Sequence, residues 1–392
     1  MSSLNHANRK HAYLSASSAN QWLNCPPSIK ASEGVGDKTT AFAEEGTFAH
    51  ELSELYFSNL YEELSDRDFK QQLEERKQNE YYSEELREYV EQYVDIVEEK
   101  INEARAQDEP ILFFEHRLDL TRYVPESFGT GDVIIYYNGT VEIVDLKFGK
   151  GVEVSALNNP QLRLYGLGAY ELLKDFEDVH TIRMTIIQPR LHNVSSESMT
   201  ADDLVSWGLN VVRPQALKAI EGKGEFQPGN HCRFCKIRHS CRARAEANLK
   251  ASKELTTPTT LTDDELAELL HKLPDIKRWA SDVEEYCREQ ALENNRNFDG
   301  WKVVEGRASR KYVDNEQVFE RLKEHYDPKE ISETKVLSIS KLEKQIGKKK
   351  VAELLSDLVE KPQGKPTLVT EDDKRQPITD SAESDFTEFI NK

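Results

Sequence analysis

The chain has 392 residues, 38% hydrophobic and 31% charged, and its 71 Asp and Glu outweigh 52 Lys and Arg to give a formal net charge of −19. No run approaches about 18 consecutive apolar residues, which excludes a membrane span, and the polar start MSSLNHANRKHAYLS lacks the apolar segment of a secretory signal. Five Cys are too few for a disulfide scaffold, so the composition indicates a reducing, cytoplasmic setting.

The acidic charge is concentrated in one part of the chain. Residues 44–109 contain 21 Asp and Glu against 7 Lys and Arg, whereas residues 231–250 contain six Lys and Arg against one Glu. The segments 301–311 and 341–350 are also basic. The composition therefore permits nucleic-acid binding through local patches, although the whole chain is acidic.

Helices are predicted in the first hundred residues. Residues 15–30 favour a short helix that stops at two prolines, and a second helix is expected over about 47–61. A third helix, over 83–106, has apolar residues at helical spacing, which predicts packing against a core and leaves its acidic residues in solvent. The apolar residues are Leu86, Tyr89, Val90, Tyr93, Val94, Val97 and Ile101.

Three short strands are predicted next, in ILFFEHRLDL, GDVIIYYNG and TVEIVDLKFG. The dipeptide Asn138-Gly139 is a strong hairpin signal between the last two. A helix over about 159–173 and a strand at 181–189 follow. This order predicts an α/β fold in which a mixed sheet contains a crossover helix and is flanked by other helices.

The polar, Thr-rich segment 251–262 is interpreted as a linker between a domain at 1–250 and a mainly helical C-terminal region at 263–392. The elements expected after the linker are a helical hairpin over 264–294 broken near Pro274, a β element over 300–313, helices at about 315–325 and 340–358, and an irregular tail over 361–392.

Two carboxylates and one lysine are expected at one edge of the hairpin. Residues two apart in a strand share a face, so Asp145 and Lys147 project together, and pairing about the turn places Asp132 opposite Asp145. Neighbouring carboxylates favour a hard cation such as Mg²⁺ or Mn²⁺, beside which Lys147 can orient water or stabilise developing charge. Spacing alone is more typical of a surface hairpin with an ion pair, but apolar strands would bury these charges, which favours a functional site.

Three cysteines occur within ten residues, at Cys232, Cys235 and Cys241, in the order C-x2-C-x5-C. Their polar neighbours favour a metal or cluster site over cysteines dispersed in a core. Such a site needs a fourth ligand. The candidates are Cys25, which precedes a proline in a polar segment, and Cys287, which lies within a predicted helix.

With these motifs the chain resembles the RecB-like branch of the PD-(D/E)XK nuclease superfamily, which includes the AddB nuclease domain and CRISPR-adaptation nucleases. The resemblance covers about residues 13–250. The matching motifs, in chain order, are Ser15 to Pro26 (SxSxxxxWLxCP), Gly46 to His50 (GTFAH), Gly131-Asp132, Asp145-Leu146-Lys147, and Gln161 followed by Tyr165 (QxxxY).

The resemblance implies a restriction-endonuclease-like fold and a metal-dependent deoxyribonuclease. His50, Asp132 and Asp145 would ligate Mg²⁺ or Mn²⁺, assisted by the Leu146 carbonyl oxygen. Lys147 would be the catalytic lysine.

The resemblance also assigns a role to the helix that follows the third strand. Gln161 and Tyr165, four residues apart on one helix face, would steady the active site and the DNA phosphates. Glu115, in FFEHRL, is either a further carboxylate of the site or a residue at the sheet edge.

Iron–sulfur members of the family place one Cys before the nuclease core and three after it. The resemblance therefore implies a [4Fe–4S] cluster on Cys25, Cys232, Cys235 and Cys241, with zinc as the alternative. Because the ligands come from both ends of the domain, metal binding would contribute free energy to folding.

The predicted function is a metal-dependent DNA nuclease, with exonuclease activity expected, in phage or bacterial recombination, repair or replication. The predicted partners are DNA and a phage recombinase, annealing protein or single-strand-binding protein. DNA contacts are expected from Arg233, Arg238 and Arg242. The two basic segments after residue 300 are either further DNA contacts or solvated charges of helices and turns. The alternatives are a non-cleaving iron–sulfur DNA-binding or scaffold protein, which does not need the two Asp and the Lys, and an iron–sulfur redox protein.

Overall fold

A five-stranded mixed sheet lies at the centre of the protein, with the strands in the order β1-β2-β3-β4-β5. They are β1 (Ile111–Asp119), β2 (Phe128–Tyr137), β3 (Thr140–Leu146), β4 (Thr181–Gln188) and β5 (Asn193–Thr200). Neighbouring strands are antiparallel except β3 and β4, which are parallel. A helix connects these two, because parallel strands cannot be joined by a tight turn. The predicted mixed sheet with a crossover helix is confirmed.

Helices flank the sheet. The helices of the described chain are α1 (Ala19–Asn24), α2 (Pro27–Ala31), α3 (Ala41–Tyr61), α4 (Asp66–Arg76), α5 (Glu84–Arg105), the crossover helix α6 (Pro160–Leu173), α7 (Ala201–Trp207), α8 (Arg213–Glu221), α9 (Arg242–Lys253) and α10 (Asp263–Glu293). In this computed structural model, residues 12–36, 40–62, 64–253, 262–304 and 350 are described. Among them, no helix combines the length and the apolar character needed to cross a membrane.

The β2–β3 hairpin has the register that its turn predicts. Val133 pairs with Val144, so the next residues toward the open end of the hairpin are Asp132 and Asp145. The turn residues Asn138 and Gly139 have φ values of 42° and 73°, a left-handed conformation that these two residue types adopt most easily.

Each face of the sheet carries an apolar cluster, because successive residues of a strand point to opposite faces. On β2, Ile134 packs in the cluster with α6, whereas Val133 and Ile135 pack in the cluster with α3 and α5. The apolar residues predicted to face the core on α5 are all buried except Tyr89, which is partly buried.

Several elements lack the pattern by which they would be predicted. The half-buried positions of β5 are Asn193, Ser195, Glu197 and Met199, so apolar alternation is missing. Helix α4 has no fully buried residue.

Two expectations about prolines are corrected. Pro274 does not break a hairpin, since it lies inside the continuous helix α10. An interior proline destabilises a helix by about 3 kcal/mol. Ion pairs of Arg244 with Asp275 and Asp282 stabilise the part of α10 that follows Pro274. Pro27 begins α2 rather than only ending α1, a position where its fixed φ suits a helix.

The chain divides into two units between Val304 and Glu305. Helix α10 belongs to the first unit, whereas the sequence pattern groups it with the C-terminal region. The following predictions lie outside the described residues: most of the linker at 251–262, the β element beyond residue 304, the helices at about 315–325 and 340–358, the tail over 361–392, and the basic segments beyond residue 304 apart from Lys350.

Candidate active site

Asp132 and Asp145 lie at the ends of β2 and β3, where the hairpin register places them opposite each other. Both are buried, with 9% and 2% of their surfaces exposed. Asp132 Oδ2 accepts a 2.7 Å hydrogen bond from the backbone N–H of Leu146, which ties the two strands together. The metal-ligand role of the Leu146 carbonyl oxygen stays a prediction.

Lys147 begins a chain of polar contacts that reaches α6. Its Nζ lies 2.8 Å from Asp145 Oδ2 and donates a 3.2 Å hydrogen bond to Gln161 Oε1. Gln161 Nε2 in turn donates to the Tyr165 hydroxyl at 3.1 Å. Burial alone would lower the pKa of Lys147, but the nearby Asp145 and Asp132 carboxylates raise it, so the ammonium stays charged. The structure thus brings these predicted residues together.

A second set of side chains meets Asp132 from α3 and β1. His50 Nδ1 lies 3.4 Å from Asp132 Oδ2 and 3.8 Å from Glu115 Oε1. In the part of the chain that the structure describes, these three form the one group of His, Cys, Asp or Glu side chains whose ligand atoms all lie within 4.8 Å of one another. Their spacing is suitable for a metal ion.

The backbone of Glu115 is strained. Its φ of 43° is in the left-handed region, which costs a residue with a side chain about 1–2 kcal/mol. Phe114 pairs with Val133 and His116 with Gly131, so Glu115 lies opposite Asp132. Strain of this kind recurs at functional sites, and the contact with His50 favours Glu115 as part of the site rather than a residue of the sheet edge.

Negative charge dominates the electrostatics of the site. Burial raises the pKa of Asp132 to about 7, and the Asp145 and Glu115 carboxylates reinforce the rise against His50 and Lys147. Burial would lower the pKa of His50, but Asp132 and Glu115 together raise it to about 9. A bound cation would relieve the repulsion among the carboxylates.

Gly129, on β2 three residues before Asp132, lies directly against Tyr165. A Cβ on Gly129 would lie 2.6 Å from Tyr165 Cε1. Because glycine has no side chain, the Tyr165 ring can pack directly against β2. The hydroxyl of Tyr165 is thereby held within reach of Gln161.

The sequence predicts Tyr93 as a core residue and nothing more. In the structure, its hydroxyl interacts electrostatically with the carboxylates of the candidate site. Burial raises its pKa strongly, and the Asp132, Asp145 and Glu115 carboxylates add to the rise. The hydroxyl is buried and has no hydrogen-bond partner among the described residues. Because Tyr93 lies among apolar residues of one helix face, the sequence pattern does not indicate that its hydroxyl lies near the carboxylates of the site.

The four cysteines assigned to the cluster line one cavity. Cys25 lies between α1 and α2, Cys232 and Cys235 are in and beside the short helix Asn230–Phe234, and Cys241 precedes α9. Cys287, on α10, is not among the residues that line it. All of them are free thiols. Among the described residues, no three of these sulfur atoms lie within 4.8 Å of one another.

The basic residues beside the cysteines differ in their availability to DNA. Arg238 Nε lies 3.0 Å from Asp282 Oδ1, and Arg244 is fully buried against Asp275 and Asp282. Arg233 and Arg242 are exposed. Of the three arginines predicted to contact DNA, Arg238 is therefore already paired with α10.

Comparison with known proteins identifies a family and several solved structures that are similar to part of the chain. A solved structure titled "Crystal structure of SSO0001" is 12% identical in sequence, with 57% of this chain and 96% of that chain covered and a TM-score of 0.25. The model of a family described as "Protein of unknown function (DUF2800)" matches residues 11–376. Since this match spans most of the sequence, the chain belongs to the DUF2800 family.

Proposed function

We propose that this protein is a metal-dependent deoxyribonuclease with a restriction-endonuclease-like fold. One observation carries the proposal: two adjacent buried carboxylates, Asp132 and Asp145, lie beside the charged Lys147. Asp145 Oδ2 is buried and, in the described chain, accepts no hydrogen bond of favourable geometry, even though the lysine lies 2.8 Å away. Two buried carboxylates beside one ammonium leave an excess of negative charge, which a divalent cation would neutralise.

The side chains that would hold Mg²⁺ or Mn²⁺ are His50, Asp132 and Asp145, with Glu115 as a further carboxylate. Hard divalent cations prefer oxygen ligands, and three carboxylates supply them. When bound, the ion would polarise the phosphate oxygens and acidify a water molecule. The Leu146 carbonyl oxygen would be an additional ligand.

Gln161 and Tyr165 would orient the Lys147 ammonium toward the substrate. Asp145 and Gln161 hold the Lys147 ammonium from two sides, and Tyr165 holds Gln161. A pre-oriented charge stabilises the transition state because no reorganisation is needed as negative charge develops on the phosphate. This is the role proposed for Lys147.

The cavity lined by the four cysteines supports a [4Fe–4S] cluster rather than zinc. Tetrahedral coordination at a Zn–S distance of about 2.3 Å would place the sulfur atoms about 3.8 Å apart. Among the described residues, no three of the sulfurs of Cys25, Cys232, Cys235 and Cys241 all lie within 4.8 Å of one another. A larger inorganic cluster suits the wider spacing, and it would connect the α1–α2 junction to the segment before α9.

The proposed setting is the bacterial cytoplasm, including that of a phage-infected host, during DNA recombination, repair or replication. DNA is the proposed substrate, and a recombinase, an annealing protein or a single-strand-binding protein is the proposed partner. These proposals rest on the resemblance to RecB-like nucleases.

The test of the proposed function is a cleavage assay on end-labelled linear and circular DNA with the purified chain. We expect cleavage of linear DNA with Mg²⁺ or Mn²⁺, no cleavage of circular DNA, and complete inhibition by EDTA. Cleavage of circular DNA would indicate an endonuclease instead. Metal-independent DNA binding without cleavage would overturn the proposal in favour of the non-cleaving scaffold protein.

DNA binding is expected to depend on the two exposed arginines of the cysteine-bearing segment. Replacing Arg233 and Arg242 by Ala should weaken DNA affinity and reduce its salt dependence, by up to about 0.9 units of slope for each phosphate of duplex DNA that an arginine no longer neutralises. The measurement is fluorescence anisotropy of labelled DNA over a salt series.

The control for this experiment is Arg67→Ala with Lys70→Ala, two exposed residues of the acidic helix α4. It removes the same charge from another surface. Equal reductions of affinity in the two double variants would show that net charge, rather than contact by Arg233 and Arg242, controls binding.

A further inference from the structure

Arg190 connects three segments that surround the candidate metal site. It lies in the short helix Pro189–Leu191 that directly follows β4. Its Nη1 and Nη2 donate hydrogen bonds of 2.9 and 2.6 Å to the two carboxylate oxygens of Glu45 on α3. Its guanidinium carbon lies 4.1 Å from the ring centroid of Phe148, the residue after Lys147.

The pair between Arg190 and Glu45 is well shielded. The Arg190 side chain is 9% exposed and that of Glu45 is 24% exposed. Bidentate hydrogen bonds between an arginine and a carboxylate are strong and directional, and the hydrogen bonds from Arg190 are the main reason that the pKa of Glu45 is lowered. Because its guanidinium is buried and already paired, Arg190 is poorly placed to contact DNA.

Glu45 is five residues before His50 on the same helix, a rise of about 7.5 Å. Residues 41–44 are exposed, and the first buried residue of α3 is Phe48. Apolar packing therefore does not fix the first turn of the helix. Among the described residues, the hydrogen bonds that join this turn to other elements include the pair with Arg190 and a bond from Tyr81 to Glu44.

The metal site requires side chains from different elements to meet. His50 comes from α3, Asp132 from β2 and Glu115 from β1, and their ligand atoms lie within 4.8 Å of one another. A small shift of α3 along the sheet would carry His50 away from the two carboxylates. Apolar packing of Phe48, Ala49 and Leu52 fixes the body of α3, and the pair between Glu45 and Arg190 fixes its first turn against the end of β4.

We infer that Arg190 is a positioning residue for the metal site: its bidentate pair with Glu45 and its stacking on Phe148 hold His50 beside Asp132 and Glu115. This inference rests on the proposed metal-dependent function. It assigns a role in cation affinity to two residues that touch neither the cation nor the substrate. Lysine cannot replace the arginine, since an ammonium lacks the planar fork that binds both carboxylate oxygens.

The test is Mn²⁺ binding to the full chain, measured by calorimetry and by the electron paramagnetic resonance of the bound ion. Arg190→Lys and Glu45→Gln should each weaken Mn²⁺ binding by about 10- to 100-fold, the usual cost of removing a residue that orients a metal ligand. Asp145→Asn should also weaken Mn²⁺ binding, which would assign the bound ion to this site.

The matched control is Glu197→Gln, which breaks a similar buried pair. Arg163 Nη2 and Nε donate to Glu197 at 2.8 and 3.2 Å, between α6 and β5, and neither residue belongs to the proposed set of metal ligands. Its thermal unfolding temperature should fall about as far as that of Glu45→Gln, with Mn²⁺ affinity unchanged. A merely structural role for Arg190 would therefore lower stability without changing Mn²⁺ affinity or the resonance spectrum.

The outcomes separate the inference from the proposed function. Unchanged Mn²⁺ affinity in Arg190→Lys and Glu45→Gln, with wild-type protein that binds Mn²⁺, would overturn the role of Arg190 alone. Wild-type protein that binds no Mn²⁺ would overturn the metal site and the inference together. An equal reduction of affinity in Glu197→Gln would show that general destabilisation is the cause, which also overturns the role of Arg190.

Discussion

Asp145→Asn and Lys147→Ala are each expected to reduce metal-dependent DNA cleavage by about 100-fold or more. The Asn substitution keeps the size of the side chain but removes a buried negative charge that the cation needs. The Ala substitution removes the ammonium that Asp145 and Gln161 hold in place. The Asn substitution leaves no cavity because Asn and Asp have nearly the same shape, and the Lys147 side chain is already 27% exposed.

The measurement is single-turnover cleavage of end-labelled DNA, with circular dichroism and the cluster absorbance as checks of folding. The control is Asp175→Asn, which changes an exposed carboxylate just after α6. Cleavage at the wild-type rate by either site variant would show that the active site has been assigned to the wrong residues.

Cys25→Ser is expected to remove the iron–sulfur absorbance and most of the soluble protein. Cys25 is 5% exposed and lines the cavity together with the three cysteines that follow the sheet. Its replacement would leave the cluster with three ligands and release the α1–α2 junction from the segment before α9. Since metal-binding free energy contributes to folding, stability should fall with cluster content.

The protein would be purified without oxygen, and iron, sulfide and zinc would be quantified. Cys287→Ser is the matched control, because Cys287 is not among the residues that line the cavity. Stoichiometric zinc without sulfide would favour the alternative metal. Absence of the cluster in Cys287→Ser would instead show that the fourth ligand was chosen wrongly.

The part of the site that is predictable from sequence depends on short-range geometry. The turn at Asn138-Gly139 determines the hairpin register, which places Asp132 opposite Asp145. Strand alternation then puts Lys147 beside Asp145. Each of these steps involves residues separated by one turn or one alternation, so local pattern is sufficient.

Other contacts depend on how distant elements pack, and local pattern does not reveal them. Glu45 and Arg190 are 145 residues apart in the chain, and neither lies in a recognisable motif. The pairing of Arg238 with Asp282 across 44 residues has the same origin. From the sequence, all the arginines of residues 231–250 are candidates for DNA contact. The structure shows that Arg238 is instead paired with Asp282 of α10.

The two outer strands of the sheet also affect how the protein behaves at high concentration. In the described chain β1 pairs only with β2, and β5 only with β4, and an open strand edge can recruit a strand from another molecule and start aggregation. On β5, the exposed positions are Val194, Ser196, Ser198 and Thr200, so only one of the four offers apolar surface for such an encounter. On β1, the left-handed backbone at Glu115 interrupts the extended edge. Glu115, whose carboxylate lies near His50, is therefore also expected to make this edge of the sheet less able to pair with a strand of another molecule.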